Sequence, residues 1–174
     1  KDEGDASRMT AHTILARVEP LVAYALENSF PILGVCFGHQ LMAEMHGGKV
    51  ENDAEQTKAG SYDVELTEEG KNDVLFSDLP QEFTAQYGHH DSVTTMPRGT
   101  ILLAKGEACR FSALKYSGTA YTMQFHPELT REDVIRRFEM SPGYLPEGIE
   151  AESVVRASPE ATRLLQNFVD RIVG

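Results

Sequence analysis

Cysteine is scarce in this 174-residue chain: Cys36 and Cys109 are the only two. Two thiols make no disulfide framework, and a free thiol suits a reducing, cytoplasmic setting. Basic residues are few as well, 16 against 27 acidic ones, for a formal net charge of −11. Acidic residues gather mildly at 51–55, 65–69 and 147–152, and no basic patch with interleaved aromatics occurs, so nucleic-acid binding is disfavoured. No apolar run nears the ~20 residues that span a bilayer, and neither a secretory signal nor a membrane partner is expected. There is no internal repeat and no low-complexity tract. What remains is the length and composition of a single domain over 1–174, with a polar segment at 1–8 and a connector at 140–157.

Within it, Pro31 to Gln40 is a short apolar run that ends on Cys36, with Gly34 and Gly38 two residues to either side. The pattern predicts a sharp strand-to-helix turn with the thiol at its apex, the two glycines removing Cβ atoms that would clash there. The helix that follows, Phe37 to about His46, would aim its N-terminal amides at the sulfur. That end of a helix favours negative charge and offers a donor to a developing oxyanion. A buried structural cysteine is the plainer alternative for such a residue, and Cys109 is read that way.

Far downstream, Tyr121, Met123 and Phe125 alternate with smaller or polar residues and lead into His126-Pro127-Glu128. In extended chain a spacing of two sends His126 and Glu128 to the same side, and Pro127 stiffens the link. A carboxylate so placed can fix the imidazole tautomer and stabilise the imidazolium formed when the ring takes a thiol proton. A strand-end histidine paired with a surface glutamate is the alternative for an isolated His-x-Glu. Together with the elbow, the pair predicts a Cys36, His126, Glu128 triad.

These two stretches, Gly34-Val35-Cys36-Phe37-Gly38-His39-Gln40 and Gln124-Phe125-His126-Pro127-Glu128, resemble the class I (triad) glutamine amidotransferases, and within them the GMP synthase-like glutaminase domain. The likeness covers about Pro20 to Phe138. It implies a flavodoxin-like α/β fold, a three-layer α/β/α arrangement with a mixed sheet, and hydrolysis of a γ-amide through a γ-glutamyl thioester without a cofactor. Cys36 would be the nucleophile, His126 the general base and then acid, and Glu128 its orienter. Phe37 would give one oxyanion N–H, and Gln40 would help hold the substrate. A third stretch, Gln86-Tyr87-Gly88-His89-His90-Asp91-Ser92-Val93, resembles the family's Ser-His-Gly-Asp segment, whose backbone lines the glutamine pocket; here glycine precedes His89, and His90 stands where the family has glycine. The implied substrate is glutamine or another γ-glutamyl compound, and a separate synthetase subunit would take any ammonia, because no phosphate-binding glycine-rich loop follows Phe138. A γ-glutamyl peptide hydrolase and an impaired amidotransferase-like binding module are the alternative functions.

The front of the chain departs from the family, which places further strands and a glycine-rich oxyanion loop before the helix that precedes the elbow. Here Met9 to Asn28 already reads as that helix, with Ile14, Leu15, Val18, Leu21, Val22, Ala25 and Leu26 as a buried stripe. The N-terminal strands are therefore expected to be missing from this chain; without the second oxyanion donor, catalysis would fall by about a hundred-fold or more. His89, His90 and Asp91 invite a metal reading, but neighbours in a strand point to opposite faces, and His39 with His46 forms no zinc pattern either. Both of the latter are read as helix-surface or pocket-wall residues, and no metal is expected. Strands are expected at 61–66, 83–87, 101–104 and 111–116, in a mostly antiparallel excursion. Thr130 and Asp133 should cap a helix that buries Val134, Ile135 and Phe138. Pro159 should open a last helix with Leu164, Leu165, Phe168, Val169 and Ile172 inside.

Overall fold

The computed structural model describes residues 3–107, 109–140, 145 and 148–174. In chain order the elements are α1 (Glu3–Glu27), β1 (Ile32–Val35), α2 (Phe37–Met45), β2 (Lys49–Asn52), β3 (Lys58–Leu66), α3 (Glu68–Asn72), β4 (Glu82–His89), β5 (Asp91–Thr95) and β6 (Ile101–Gly106). They continue with β7 (Cys109–Lys115), β8 (Ala120–Met123), α4 (Arg131–Met140), α5 (Ala151–Val154) and α6 (Pro159–Phe168), which widens into a last turn over Val169–Val173. Among the described residues no helix is long and apolar enough to cross a membrane.

One mixed sheet runs β1-β8-β7-β6-β3-β4, and β2 and β5 form a separate antiparallel pair. Only the β1–β8 pairing in the large sheet is parallel, with Ile32 opposite Ala120 and Val35 opposite Met123. The other pairings are antiparallel, as expected for the excursion between the two motifs. The sheet curls. Beyond β8, the Gln124 N–H donates to the Ser112 carbonyl of β7 and the His126 N–H to the Gln86 carbonyl of β4, the far strand (both within 2.9 Å). Phe83, Tyr87, Phe125 and Met123 fill the inside of that curl.

Alternation along β8 sets the layers. Tyr121 meets Phe168 of α6 on one face, and Thr122 meets His39 of α2 on the other. α6 starts at Pro159 as expected and buries Ala161, Leu164 and Phe168, but Val169 is exposed and Asn167 takes an inside place instead. A polar residue is tolerated there because its amide donates to the Leu75 carbonyl and to Asp78. α4 carries the expected cap: the Asp133 N–H donates to Thr130 Oγ1 and the Thr130 N–H to the Asp133 carboxylate. Within the connector expected at 140–157, residues 141–144, 146 and 147 lie outside the described residues, and Ala151–Val154 form the short helix α5.

Two expectations are corrected. α1 begins earlier than Met9, and its stripe is not buried: Leu21 is 70% exposed, while Val18, Val22, Ala25 and Leu26 are half-buried. β1 lies at the sheet edge with β8 as its one strand neighbour, and helical spacing alone does not supply a covering surface. The side chains of Ile14 and Leu15 lie outside the described residues. The second correction concerns Gly38, where an added Cβ would meet nothing within 4 Å. Only Gly34 is sterically required, because a Cβ there would lie 2.9 Å from both the Gly38 carbonyl oxygen and Thr122 Cγ2. Gly34→Ala is therefore expected to lower stability by about 1–3 kcal/mol. Gly38→Ala, inside α2, should be neutral or stabilising by up to ~1 kcal/mol. Urea denaturation of the two variants side by side checks the contrast.

Candidate active site

Cys36 sits between β1 and α2 with φ 50° and ψ −99°, a conformation that a residue with a side chain rarely adopts. Such strain persists only where the surroundings over-determine it. Here the Cys36 N–H donates to the Met123 carbonyl (2.9 Å), extending the parallel ladder, and the Cys36 carbonyl accepts from the Gln40 N–H (3.1 Å), opening the helix. The thiol is left partly exposed at the N-terminus of α2. As the first helical residue, Phe37 has no intrahelical acceptor for its N–H, which leaves that donor beside the sulfur. The Phe37 ring itself faces outward.

His126 follows β8 on the Met123 side of Cys36. Its Nδ1 lies 2.6 Å from Glu128 Oε1. An ionised carboxylate only accepts, so Nδ1 carries the proton and Nε2 is left for the sulfur. Burial alone would lower the ring's pKa, but hydrogen bonds and charge from Cys36 and Glu128 outweigh it and raise it to about 9. Glu128 is pulled the opposite way. Its partial burial would raise its pKa, and the hydrogen bond and charge of His126 hold it below the usual carboxylate range. The imidazole is thus hydrogen-bonded to Glu128 and feels the charge of Cys36, from a motif far away in sequence.

The residues expected to hold substrate divide into contacts and supports. Gln40 Nε2 donates to the Asp91 backbone carbonyl (2.6 Å) and to Gln124 Oε1 (3.3 Å). Gln124 Nε2 in turn lies 3.6 Å from Cys36 Sγ, so a buried glutamine links the Cys36 thiol to Gln40. Sequence reasoning assigns Gln124 no role of its own; its place depends on a chain reversal that strand alternation does not show. His90 is exposed, and its carbonyl accepts from Thr57 Oγ1 (2.9 Å). Asp91 offers its backbone to Gln40, and its carboxylate lies 3.4 Å from Asn52 Nδ2. His89 is buried, with Nδ1 3.0 Å from the Asp91 carbonyl. It supports the turn from within.

His39 corrects the sequence expectation most sharply. It is fully buried between α2 and β8, with Nδ1 2.8 Å from Thr122 Oγ1, rather than on a helix surface. His46, two turns on, ends α2 with Nδ1 2.8 Å from the Met42 carbonyl. Burial, aided by the charge of His89, lowers the His39 pKa to about 3, and burial lowers that of His89 to about 4. Both rings are neutral in the folded chain at pH 5, whereas in the unfolded chain they protonate near 6.5. The unfolded state then binds more protons, so stability falls as the pH drops through this window. Between pH 7 and pH 5 the loss should be about 1–2 kcal/mol for each ring. Urea midpoints at the two pH values should show it, with a shallower dependence in His39→Gln.

Residues 11–134 match the family described as "Glutamine amidotransferase class-I". The chain is similar to a glutamine-hydrolyzing GMP synthase subunit of Methanocaldococcus jannaschii, 32% identical over 135 residues, covering 75% of this chain and 70% of that protein. The protein of the same name from Pyrococcus abyssi is 37% identical over 117 residues, covering 64% of this chain and 60% of its own length. In fold, a crystal structure of a glutamine amidotransferase from Thermotoga maritima superposes with a TM-score of 0.73 at 24% identity, covering 88% of this chain and 67% of that one. The chain thus spans 60 to 70% of the length of these relatives. The match runs over the elbow and His126-Pro127-Glu128 alike, on a mixed α/β sheet of the corresponding fold, and the chain belongs to the class I glutamine amidotransferases.

Proposed function

We propose that the chain hydrolyses the γ-amide of glutamine through a γ-glutamyl thioester on Cys36. The observation that carries this reading is the strained elbow that presents Cys36, together with the His126–Glu128 hydrogen bond on the imidazole that acts on its sulfur. With the proton already held on His126, the sulfur bonds to the amide carbon, and the carbonyl oxygen becomes an oxyanion beside the Phe37 N–H. The carbon–nitrogen bond then breaks, and the imidazolium gives its proton to the departing nitrogen, which leaves as ammonia. Water, deprotonated by the same ring, attacks the thioester. Glutamate leaves, the sulfur is freed, and the proton taken from water stays on His126.

Gln40, with the backbone of 88–91, would receive the amino-acid end of glutamine, a placement supported by the Gln40–Asp91 hydrogen bond. Relatives that are named as one subunit of a GMP synthase support delivery of the ammonia to a separate synthetase subunit. A free thiol working in this way suits a reducing cytoplasm. The test compares labelling of Cys36 by a glutamine-mimicking electrophile with labelling by iodoacetamide. Faster labelling by the mimic, slowed by added glutamine, is expected. Equal labelling by both reagents, with no protection, would show an exposed thiol without a substrate pocket.

A further inference from the structure

One feature of the site exceeds what glutamine needs. A cavity of about 220 Å³ opens against the ring of His126, between Gly88 of β4 and the inner face of α4. Leu129, Val134 and Phe138 make it apolar, Arg137 is a cation at its wall, and none of the described residues lining it is acidic. We propose that this cavity receives the leaving half of a γ-glutamyl peptide, an apolar α-amino acid whose carboxylate pairs with Arg137. The inference rests on the hydrolase reading above and extends its substrate class.

The position follows from the chemistry. The departing nitrogen must take its proton from His126, so whatever that nitrogen carries lies against the same imidazole. With glutamine it carries only hydrogen, and the space beside the ring stays unused. With a γ-glutamyl amino acid, the same bond between carbonyl carbon and nitrogen breaks, the nitrogen gains the His126 proton, and a free amino acid leaves in place of ammonia. The later hydrolysis of the thioester is unchanged. The space beside Gly88 is open, since a Cβ added there would meet nothing within 4 Å. Arg137 is exposed at the cavity wall, so an incoming carboxylate meets a cation there. A guanidinium suits that role because it binds a carboxylate with two parallel hydrogen bonds.

The experiment measures kcat/KM for glutamate release from glutamine, γ-glutamyl-leucine, γ-glutamyl-glycine and γ-glutamyl-leucinamide, with wild type, Cys36→Ala and Arg137→Gln. In wild type, γ-glutamyl-leucine should exceed γ-glutamyl-glycine roughly tenfold, through burial of its side chain. It should exceed the leucinamide roughly tenfold as well, through its charge, and that second ratio should collapse toward one in Arg137→Gln. Cys36-dependent turnover of glutamine with no preference for leucine over glycine overturns the assignment of the cavity. Equal rates with acid and amide in wild type overturn the pairing with Arg137. If no substrate gives glutamate in a Cys36-dependent manner, the hydrolase reading itself fails and takes the cavity's role with it. The wild-type panel decides the matter even if a variant does not fold.

Discussion

Cys36→Ala should lose glutamine hydrolysis by at least about a thousand-fold while keeping its fold. The size of the loss follows from the site's economy of parts. In the proposed mechanism a single sulfur forms the covalent bond, and His126 and the Phe37 N–H have nothing to act on without it. Alanine removes one atom from a partly exposed position, so no cavity opens in the core. Its methyl group does inherit the strained φ of 50°, at an unchanged backbone cost. Glutamate release under saturating glutamine, with urea denaturation as the control for folding, checks both halves. Retention of even a tenth of the wild-type rate would remove Cys36 from the chemistry.

The second large effect concerns pH. His126 has its pKa raised to about 9, against the pull of burial, by Cys36 and Glu128. A histidine raised above its unfolded value of 6.5 contributes stability in full below that pH and loses it as the pH rises through about 9. The catalytic limb runs in the same direction. The imidazolium is the acid that releases the leaving nitrogen, so kcat/KM should fall above about pH 9. Glu128→Gln removes one of the two stabilising partners and should move that limb toward lower pH. Loss of the equivalent carboxylate from a buried serine-protease triad costs about 10⁴ in kcat. The Glu128 side chain is 42% exposed, so solvent screens its charge, and a glutamine can still accept from Nδ1. A fall of about ten- to a hundred-fold at neutral pH is expected. An unmoved alkaline limb in the pH profile of this variant would mean that Glu128 does not act through His126.

What could be read from the sequence was local. Gly34, Cys36, His126 and Glu128 announce themselves because a glycine-flanked apex and a same-side pair are set by spacings of two, which short-range backbone geometry preserves. The antiparallel strands were legible for the same reason, through alternation in segments such as Ser61–Leu66. The features that escaped depend on contacts between distant segments. His39 looks like any helix residue until Thr122 is laid beneath it. β2 carries one apolar residue, Val50, in Lys49–Asn52, and becomes a strand only by pairing with β5. Asn167 is inside because Leu75 and Asp78 satisfy it, and Val169 is outside although Ile172 of the same last turn still packs on the core. The α1 stripe shows the converse. Its period is helical, yet period describes a face and not what covers it. The cavity beside His126 belongs to this second group, since β4, the turn after β8 and α4 meet only once the sheet has curled.

Hydroxylamine distinguishes a thioester on Cys36 from direct attack of water on the amide. A γ-glutamyl thioester is open to hydroxylamine as well as to water, so adding it during turnover of glutamine should divert product from glutamate to γ-glutamyl hydroxamate. The diversion should rise with hydroxylamine concentration and be absent in Cys36→Ala. Glutamate release that continues undiverted, or hydroxamate formed equally well by Cys36→Ala, would contradict a covalent intermediate at this cysteine.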